Sequence, residues 1–406
     1  MITRRGAEMA IAFALAAALL VGGIGAVFFF LTISPGYADS SAVPSHASAT
    51  PSAQYSSVVE ESRRLTRDIV LEGNLPGLSV AVAVNGEIVW AEGFGYANIK
   101  RRAPVTPLTR FRLGSVTKTM TAAAAALLYD RGRLDLDAPV QQYVPQYPKK
   151  QWTVTARQLM ADVAGVHVMR GDNYDQTPYF ECANLDEAIK HFAGEPLLFE
   201  PGTRYRFSTN GWILLSAVVQ AAAEEPFHTF MTQDVLTPLG LENTVVESNE
   251  RGPNATSFYL PRVNENPKFG VEEASPLHNS CLFGASDYLS TPSDLVRFGS
   301  AMLKPGLLKP NTVALLQTPP RFASGASSDF ALGWKVEHVQ LRGAPARMLA
   351  HRATPWGGTV ALLMFPEHGL VIAAATNVTF GEGITPFGVK IADAFAPERD
   401  AQSRVQ

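Results

Sequence analysis

Residues 111–121 have the sequence FRLGSVTKTMT, in which Ser115 precedes Lys118 by three positions at the head of an alanine-rich run. If a helix begins near Ser115, this spacing places the hydroxyl and the amine on one helix face, one turn apart. A serine becomes a nucleophile when a neighbouring base takes its proton. A lysine can be that base if burial lowers its pKa toward neutrality. The segment therefore predicts Ser115 as a nucleophile and Lys118 as its proton acceptor.

The composition is that of a globular protein without a strong charge bias. The chain has 406 residues, of which 46% are hydrophobic and 17% charged, and its net charge is −3. This length suffices for a large core or two sub-domains. The near-neutral charge argues against nucleic acid as the main partner. We therefore expect an enzyme or binding domain that acts on small-molecule or peptide-like ligands.

The N-terminus differs from the rest of the chain. Residues 1–8 are basic through Arg4 and Arg5, and residues 9–33 form an uncharged apolar run. This run exceeds the roughly 20 residues that span a bilayer, whereas signal-peptide cores have about 7 to 15. It predicts a transmembrane signal-anchor, with a signal peptide cleaved near residues 36–38 as the alternative. Both place the remainder of the chain on the extracytoplasmic (periplasmic or secreted) side, because the arginines stay inside.

Three further regions complete the predicted domain organisation. Residues 34–56 are rich in serine, alanine and proline and predict a disordered linker. Residues 57–396 form the functional domain, and residues 397–406 form a tail. The two cysteines, Cys182 and Cys281, either pair in a disulfide or remain as buried thiols. No Cys-x-x-Cys or His/Cys cluster in the sequence indicates a metal, and no cofactor is expected.

Strand patterns lie at both ends of the domain and helical patterns in the middle. Residues 77–84 and 87–93 predict a β-hairpin, because they flank the favoured two-residue turn Asn85-Gly86. Strands return after Leu332, whereas residues 250–282 predict loops. We expect an α/β (α+β) fold: one antiparallel sheet built from both termini, flanked by helices, with an inserted, mainly helical sub-domain. Predicted helices occupy residues 57–73, 117–131, 155–164, 185–192, 211–223, 227–235, 293–303 and 382–396.

Several sequence motifs coincide with those of a known family between about residues 58 and 395. The chain resembles the serine β-lactamase / penicillin-binding-protein superfamily, in its class C and DD-peptidase-like branch, and most of all the mitochondrial serine β-lactamase-like proteins. Ser115-x-x-Lys118 matches that superfamily's first motif. The resemblance implies the fold and an acyl-enzyme mechanism on Ser115 with Lys118 as base. The other matching words are LPGLSV (75–80), GRLDLD (132–137), FEPGT (199–203), PLGL (238–241), LSTPSDL (289–295), LGW (332–334) and TN (376–377).

The second family motif is altered at Phe207. Relatives place a tyrosine here, which helps to shuttle the proton and to protonate the leaving group, and phenylalanine can do neither. The neighbouring Ser208 and Thr209 offer hydroxyls to a substrate, or serve in ordinary loop hydrogen bonds. Tyr205 lies two residues away. A fourth family element, His-Thr-Ser-Gly, begins here with Asp162.

The third family motif is only partly kept at residues 351–354. Its basic residue corresponds to His351, which the resemblance makes a substrate-binding or auxiliary residue and which is otherwise a structural histidine near a strand. Its glycine is replaced by Ala353. The alanine adds a methyl group where substrate approaches the backbone. The resemblance assigns the Thr354 N–H as second oxyanion donor beside the Ser115 N–H. In a second alignment, Thr354-Pro355 instead matches the family's later Thr-Pro-Gly.

Two functions follow from these substitutions. The first is a membrane-tethered serine hydrolase that acts on an ester, amide or β-lactam-like carbonyl. The second is a catalytically impaired binding or scaffold protein on the same fold. The sequence does not select among these substrates, and no segment indicates an oligomeric state.

Overall fold

The computed structural model of the chain describes residues 13–23, 34–168, 181–248, 252, 254–263, 266–277, 279–381 and 383–397. Residues 13–23 are helical and exposed, and the remainder of the predicted membrane segment 9–33 lies outside the described residues. Within these ranges, no helix combines the length and the apolar character that a membrane crossing needs.

The central element is an antiparallel sheet that joins both ends of the domain, as predicted. Strand β2 (Gly77–Val84) follows a helix near the N-terminus and pairs with β13 (Leu370–Thr376), the last strand among the described residues, with Leu78 opposite Thr376 and Val84 opposite Leu370. The order from one edge to the other is β1 (Ser45–Ala47), β3 (Glu87–Asn98), β2 (Gly77–Val84), β13 (Leu370–Thr376), β12 (Thr359–Phe365), β11 (Ala344–Ala353) and β10 (Lys335–Leu341), with β4 (Ala103–Pro104) on β3.

The central strands of this sheet are buried on both faces. Val80 and Val82 of β2 point into one hydrophobic core, and Ala81 and Ala83 point into the other, because successive side chains of a strand alternate between faces. Helices α1 (Ser56–Glu72) and α9 (Ile384–Phe395) cover the first face. Helix α7 (Pro292–Leu303) covers the second face and joins it to the helical region that carries the site.

The inserted sub-domain is mainly helical and is centred on α5 (Thr209–Ala223), which packs against α2 (Thr117–Asp130), α3 (Ala156–Met160), α4 (Leu185–Lys190) and α6 (Phe227–Phe230). The alanines at 122–126 are fully buried, and their small side chains allow α2 to approach its neighbours closely. Helix α6 continues as a π-helix over Met231–Leu236, and α8 spans Pro310–Leu316.

Residues 34–56 pack onto the domain, so the prediction of a disordered linker is wrong for the part that contacts the sheet. Ser45–Ala47 form β1 on the edge strand β3, and Val43 is buried. The ring of Tyr37 stacks on that of Tyr96 with a centroid distance of 5.6 Å. An edge strand presents backbone groups that can pair with another segment, and composition alone does not reveal such a partner.

Two local predictions also need correction. Residues 250–282 contain a hairpin of β7 (Tyr259–Val263) and β8 (Asn266–Glu273) instead of loops alone. The helix expected over residues 155–164 ends at Met160. Asp162 and Gly165 adopt left-handed backbone conformations with φ of 53° and 71°, which end a right-handed helix.

Candidate active site

Ser115 lies in a tight turn between a short strand and the start of α2. Strand β5 (Phe111–Arg112) pairs with β9 (Tyr288–Ser290), which also pairs with β6 (Val245–Val246). The 3-10 turn Gly114–Val116 leads into α2. Gly114 has φ of +51°, which glycine adopts without steric cost. The turn places the partly exposed Ser115 at the N-terminal end of α2, where the helix dipole favours negative charge.

Lys118 faces Ser115 one helical turn along. Its Nζ donates a hydrogen bond to Ser115 Oγ at 2.9 Å and another to the backbone oxygen of Ala285 at 3.0 Å. The side chain is fully buried. Burial lowers the pKa of Lys118 to about 7, although the carboxylates of Asp162 and Asp287 oppose the shift. A large share of Lys118 is therefore neutral near pH 7 and able to accept a proton.

The carbonyl that holds Lys118 belongs to a rigid segment, residues 283–287, which we call the lysine shelf. Thr121 Oγ1 donates to Gly284 O at 2.7 Å, and Ser216 Oγ donates to Phe283 O at 2.9 Å. Asp287 accepts from Gly284 N at 3.0 Å and contacts His228 Nε2 at 2.8 Å. These contacts, from α2, α5 and α6, fix the direction of the Ala285 carbonyl.

Phe207 lies directly against the lysine. Its ring centroid is 4.6 Å from Lys118 Nζ, a cation–π distance, so its ring stabilises the ammonium form but cannot exchange a proton. Tyr205 packs against Phe330 with a centroid distance of 5.2 Å. Across the described residues, neither Tyr205 nor His351 hydrogen-bonds to Ser115, so neither directly replaces the missing phenol.

Ser208 serves as the N-cap of α5. Its Oγ accepts from Gly211 N at 3.0 Å and donates to His167 O at 3.0 Å. The hydroxyl is buried and engaged in both directions. Among the described residues, the Ser208 hydroxyl therefore makes no hydrogen bond to Ser115.

His351 lies on β11 and is held by the backbone. Its Nδ1 is 2.8 Å from Gly333 O, and because a carbonyl only accepts, Nδ1 carries the proton. Burial, together with the charges of Lys118 and Arg352, lowers the pKa of His351 to about 4. The imidazole is therefore neutral at pH 7.

The end of β11 borders the nucleophile turn. A Cβ added to Gly114 would lie 3.0 Å from the Ala353 methyl and 3.0 Å from Pro355 Cδ, so this methyl occupies the space beside the turn. Thr354 follows β11 and is exposed. Thr354, whose N–H is the predicted oxyanion donor, thus lies at the end of β11, next to the Ala353 methyl.

Sequence reasoning missed a buried ion pair that fixes the turn. Arg112 Nε lies 2.9 Å from both carboxylate oxygens of Glu247, and its Nη1 donates to Trp356 O at 2.6 Å. The two side chains are 2% and 5% exposed. Arg112 therefore connects the strand before Ser115 to the segment after Thr354. Only its position within the first motif hinted at this role.

Asp162 is a second residue whose position the sequence did not predict. Its carboxylate is buried, accepts a hydrogen bond from Ser208 N at 3.1 Å and interacts electrostatically with Lys118. Burial raises the pKa of this carboxyl group, and the positive charge of Lys118 opposes that shift. Asp162 stands where the family has the first residue of His-Thr-Ser-Gly, and that substitution gave no sign of a charged neighbour for Lys118.

Cys182 and Cys281 form a disulfide, which resolves the two alternatives that the sequence left open. The Cys182 N–H also donates to Ser280 Oγ at 3.0 Å. A ring nitrogen of His191 lies within 4.8 Å of both sulfurs, a His/Cys grouping that the sequence did not indicate. The disulfide leaves no thiolate for a metal, and its Cys281 end lies just before the lysine shelf.

Comparisons with known proteins agree with this architecture. The family model described as Beta-lactamase matches residues 62–386. The mouse (Mus musculus) serine β-lactamase-like protein LACTB, mitochondrial, is 27% identical over 464 residues, covering 87% of this chain and 83% of that protein. Among solved structures, a class C β-lactamase has a TM-score of 0.71 at 19% identity and covers 86% of this chain and 100% of its own. EstCE1, a hydrolase with promiscuous acyltransferase activity, has a TM-score of 0.71 at 22% identity, with coverages of 84% and 99%.

The two structural neighbours establish the fold, and the family model extends over most of the chain. The first motif, the two-sided sheet and the inserted helical sub-domain all agree with that assignment. The chain therefore belongs to the β-lactamase family, the serine β-lactamase and penicillin-binding-protein superfamily of serine hydrolases.

Proposed function

We propose that this protein is an active serine hydrolase that forms an acyl-enzyme on Ser115 with Lys118 as the base. The observation that supports it most is the 2.9 Å contact between Lys118 Nζ and Ser115 Oγ, made by a buried lysine whose pKa is about 7. A solvated lysine keeps its proton at pH 7, whereas this one releases it to become a base.

Acylation proceeds in two proton steps. Lys118 takes the proton of Ser115 as Oγ bonds to the substrate carbonyl carbon, and the resulting tetrahedral oxyanion accepts from the N–H groups of Ser115 and Thr354. The ammonium then returns its proton to the leaving group as the carbonyl–leaving-group bond breaks. Water repeats the sequence on the acyl-enzyme: Lys118 takes a proton from water and returns it to Ser115 Oγ.

The absence of a phenol at Phe207 favours esters over amides. An amide nitrogen must be protonated to depart, whereas an alkoxide or phenolate leaves more readily. Lys118 is the only proton donor that contacts Ser115 Oγ in the described part of the chain. EstCE1, the hydrolase with promiscuous acyltransferase activity, shares the fold. We therefore propose a small ester as substrate, with amides, peptides and β-lactams as slower alternatives.

The test is covalent labelling with a fluorophosphonate and p-nitrophenyl acetate hydrolysis, measured from pH 5 to 9. We expect a single adduct that peptide mapping places on Ser115. The acylation rate should rise with pH through about 7 as Lys118 loses its proton, and should be roughly 100-fold below its plateau at pH 5. Ser115→Ala should abolish both signals, and the matched control Ser324→Ala, on an exposed residue, should keep them. Absence of labelling at every pH would refute the proposal.

The second candidate is a binding or scaffold protein without catalysis. Phe207 and the Ala353 methyl beside Gly114 favour it, because one removes a proton carrier and the other narrows the space beside the turn. It predicts that labelling and hydrolysis are absent in the wild type. A Phe207→Tyr or Ala353→Gly variant that gained labelling would then support it.

For the location of the protein, we propose an N-terminal membrane anchor at residues 9–33 with the hydrolase domain (57–396) on the extracytoplasmic side. The uncharged apolar run behind Arg4 and Arg5 supports this arrangement. Alkaline carbonate extraction of membranes should leave the full-length protein in the pellet, whereas a Leu19→Arg/Leu20→Arg variant should be released. Extraction of the wild-type protein into the supernatant would contradict the anchor.

A further inference from the structure

The buried carboxylate of Asp162 lies near Lys118 but belongs to none of the three catalytic motifs. Asp162 follows α3 in a left-handed conformation, and its Oδ1 accepts from Ser208 N at 3.1 Å and from Trp212 Nε1 at 3.1 Å. Its Oδ2 is buried and has no hydrogen-bond partner among the described residues. A buried carboxylate oxygen without a partner is costly, so this arrangement calls for an explanation beyond folding.

The charged and titratable groups around Lys118 come from several elements. Asp162 exerts the largest electrostatic effect that favours the charged lysine, followed by Asp287 of the lysine shelf. Asp287 is itself bound to His228 and to the Gly284 N–H, whereas Oδ2 of Asp162 has no such partner.

Two more titratable groups complete this environment. His351, on β11, is uncharged, because its pKa is about 4. Tyr205 faces Asp162, and desolvation and that carboxylate raise the pKa of its phenol well above the usual value, so it also stays neutral. Of the two acids that act on Lys118, Asp162 is therefore the one with a carboxylate oxygen that has no hydrogen-bond donor among the described residues.

Asp162 and Lys118 are held by helices and loops that pack directly against one another. Trp212, which fixes Oδ1, belongs to α5, next to α2. A Cβ added to Gly333 would lie 3.4 Å from the Trp212 ring and 3.8 Å from the Lys118 carbonyl oxygen, and the Gly333 N–H donates to Met160 O at 2.9 Å. Movement of Asp162 relative to Lys118 therefore requires movement of packed backbone.

We propose that Asp162 is the positioning residue of the Ser115–Lys118 pair: its carboxylate, fixed by Ser208 and Trp212, is the counter-charge that stabilises Lys118 after it has taken the serine proton. This inference rests on the proposed function of the pair. Asp162 takes no atom from the substrate. The proton passes from Ser115 Oγ to Lys118 Nζ and on to the leaving group, and the carboxylate lowers the energy of the intervening ammonium. Because Phe207 has no hydroxyl with which to stabilise the protonated Lys118, the Asp162 carboxylate provides that stabilisation.

The test is the pH dependence of fluorophosphonate labelling in Asp162→Asn. Asparagine tolerates a positive φ, and its amide oxygen still accepts from Ser208 and Trp212, so the shape is kept while the charge is lost. A nearby opposite charge shifts a pKa by about 1 to 3, so the rise of the labelling rate should move to lower pH by about one pH unit or more. The plateau rate should fall, because the ammonium loses its counter-charge.

The matched control is Asp294→Asn, which removes a buried carboxylate on α7 that does not act on Lys118. It should leave the pH profile where the wild type has it. A merely structural role for Asp162 predicts that Asp162→Asn lowers the melting temperature but keeps the wild-type pH profile, and that outcome overturns the proposal. If Asp162→Asn does not fold, Trp212→Phe replaces it, because loss of one donor makes the carboxylate easier to neutralise and shifts the profile in the same direction.

A second readout separates this proposal from the proposed function. In protein labelled with carbon-13 at the lysine ε position, the Lys118 signal, assigned by its loss in Lys118→Met, reports the lysine titration without any reaction. A titration midpoint that falls in Asp162→Asn supports the proposal even if the wild type never labels on Ser115. Equal midpoints in the two proteins overturn it even if the wild type is an active hydrolase.

Discussion

Removal of the Cys182–Cys281 disulfide should destabilise the domain strongly. The bond joins residues 99 positions apart, so it closes a loop of about 100 residues in the unfolded chain. In the chain-entropy account, a loop of that size reduces the freedom of the unfolded state by an amount worth about 4 to 5 kcal/mol. Each kcal/mol shifts the melting temperature of a domain this large by roughly 2 °C. The expected loss is therefore about 8 to 10 °C.

The assay compares the oxidised protein, the reduced protein and a Cys182→Ala/Cys281→Ala variant by thermal and urea denaturation. The reduced protein and the variant should show the same loss, because both lack the crosslink. The Ser280→Ala variant removes the neighbouring hydrogen bond to the Cys182 N–H but keeps the disulfide, so it should lose only about 1 kcal/mol.

Equal midpoints in oxidised and reduced protein would show that the loop argument fails for this chain. Two thiols that alkylate before any reduction would show that the cysteines are not bonded. Cys281 lies just before the lysine shelf, so reduction should leave the Ala285 carbonyl less firmly held. Because this carbonyl positions Lys118, the reduced protein should also react with a fluorophosphonate more slowly.

Three other perturbations test the frame of the site. Glu247→Gln leaves Arg112 as a buried charge without its ionic partner, which should cost about 3 to 5 kcal/mol in urea unfolding and slow labelling of the adjoining turn. Gly284→Ala combines a positive φ with clashes against three side chains and should cost about 2 to 5 kcal/mol. The control Gly132→Ala, also at a positive φ but with open space around it, should lose only the stability that the strained backbone costs. An equal loss of unfolding free energy in the two variants would contradict the predicted clash at Gly284. The pKa of His351 is lowered to about 4, so its unfolded form binds more protons between pH 6.5 and 4, and stability falls as pH falls through that window. Wild-type protein should lose roughly 3 kcal/mol over this range relative to a His351→Gln variant, and parallel unfolding curves for the two would disprove the assignment.

Much of the fold was predictable because its signals are local. The Asn85-Gly86 turn, the helix that starts after Ser115 and the last two strands all lie where the sequence places them. A strand buried on both faces shows itself as a continuous apolar run, as at residues 78–84. The motif words then identified the architecture, which the family match and the structural neighbours confirm.

The site was predictable only in part. The Ser115–Lys118 spacing follows from helix geometry, and their hydrogen bond agrees with it. Ser208 was an ambiguous hydroxyl until the structure showed it as the cap of α5. The position of Asp162 in the site had no sequence signal, because it depends on how the segment after α3 packs against α5.

The sequence by itself determined which residues could do chemistry, since the serine, the lysine and the loss of the tyrosine are local facts. Only the tertiary structure decided their electrostatics. Whether Lys118 is a base depends on its removal from water, on the Ala285 carbonyl and on the charge of Asp162, all supplied by distant segments. Desolvation and Coulomb interactions act through space and not along the chain, so no reading of FRLGSVTK alone could have assigned the proton of that lysine.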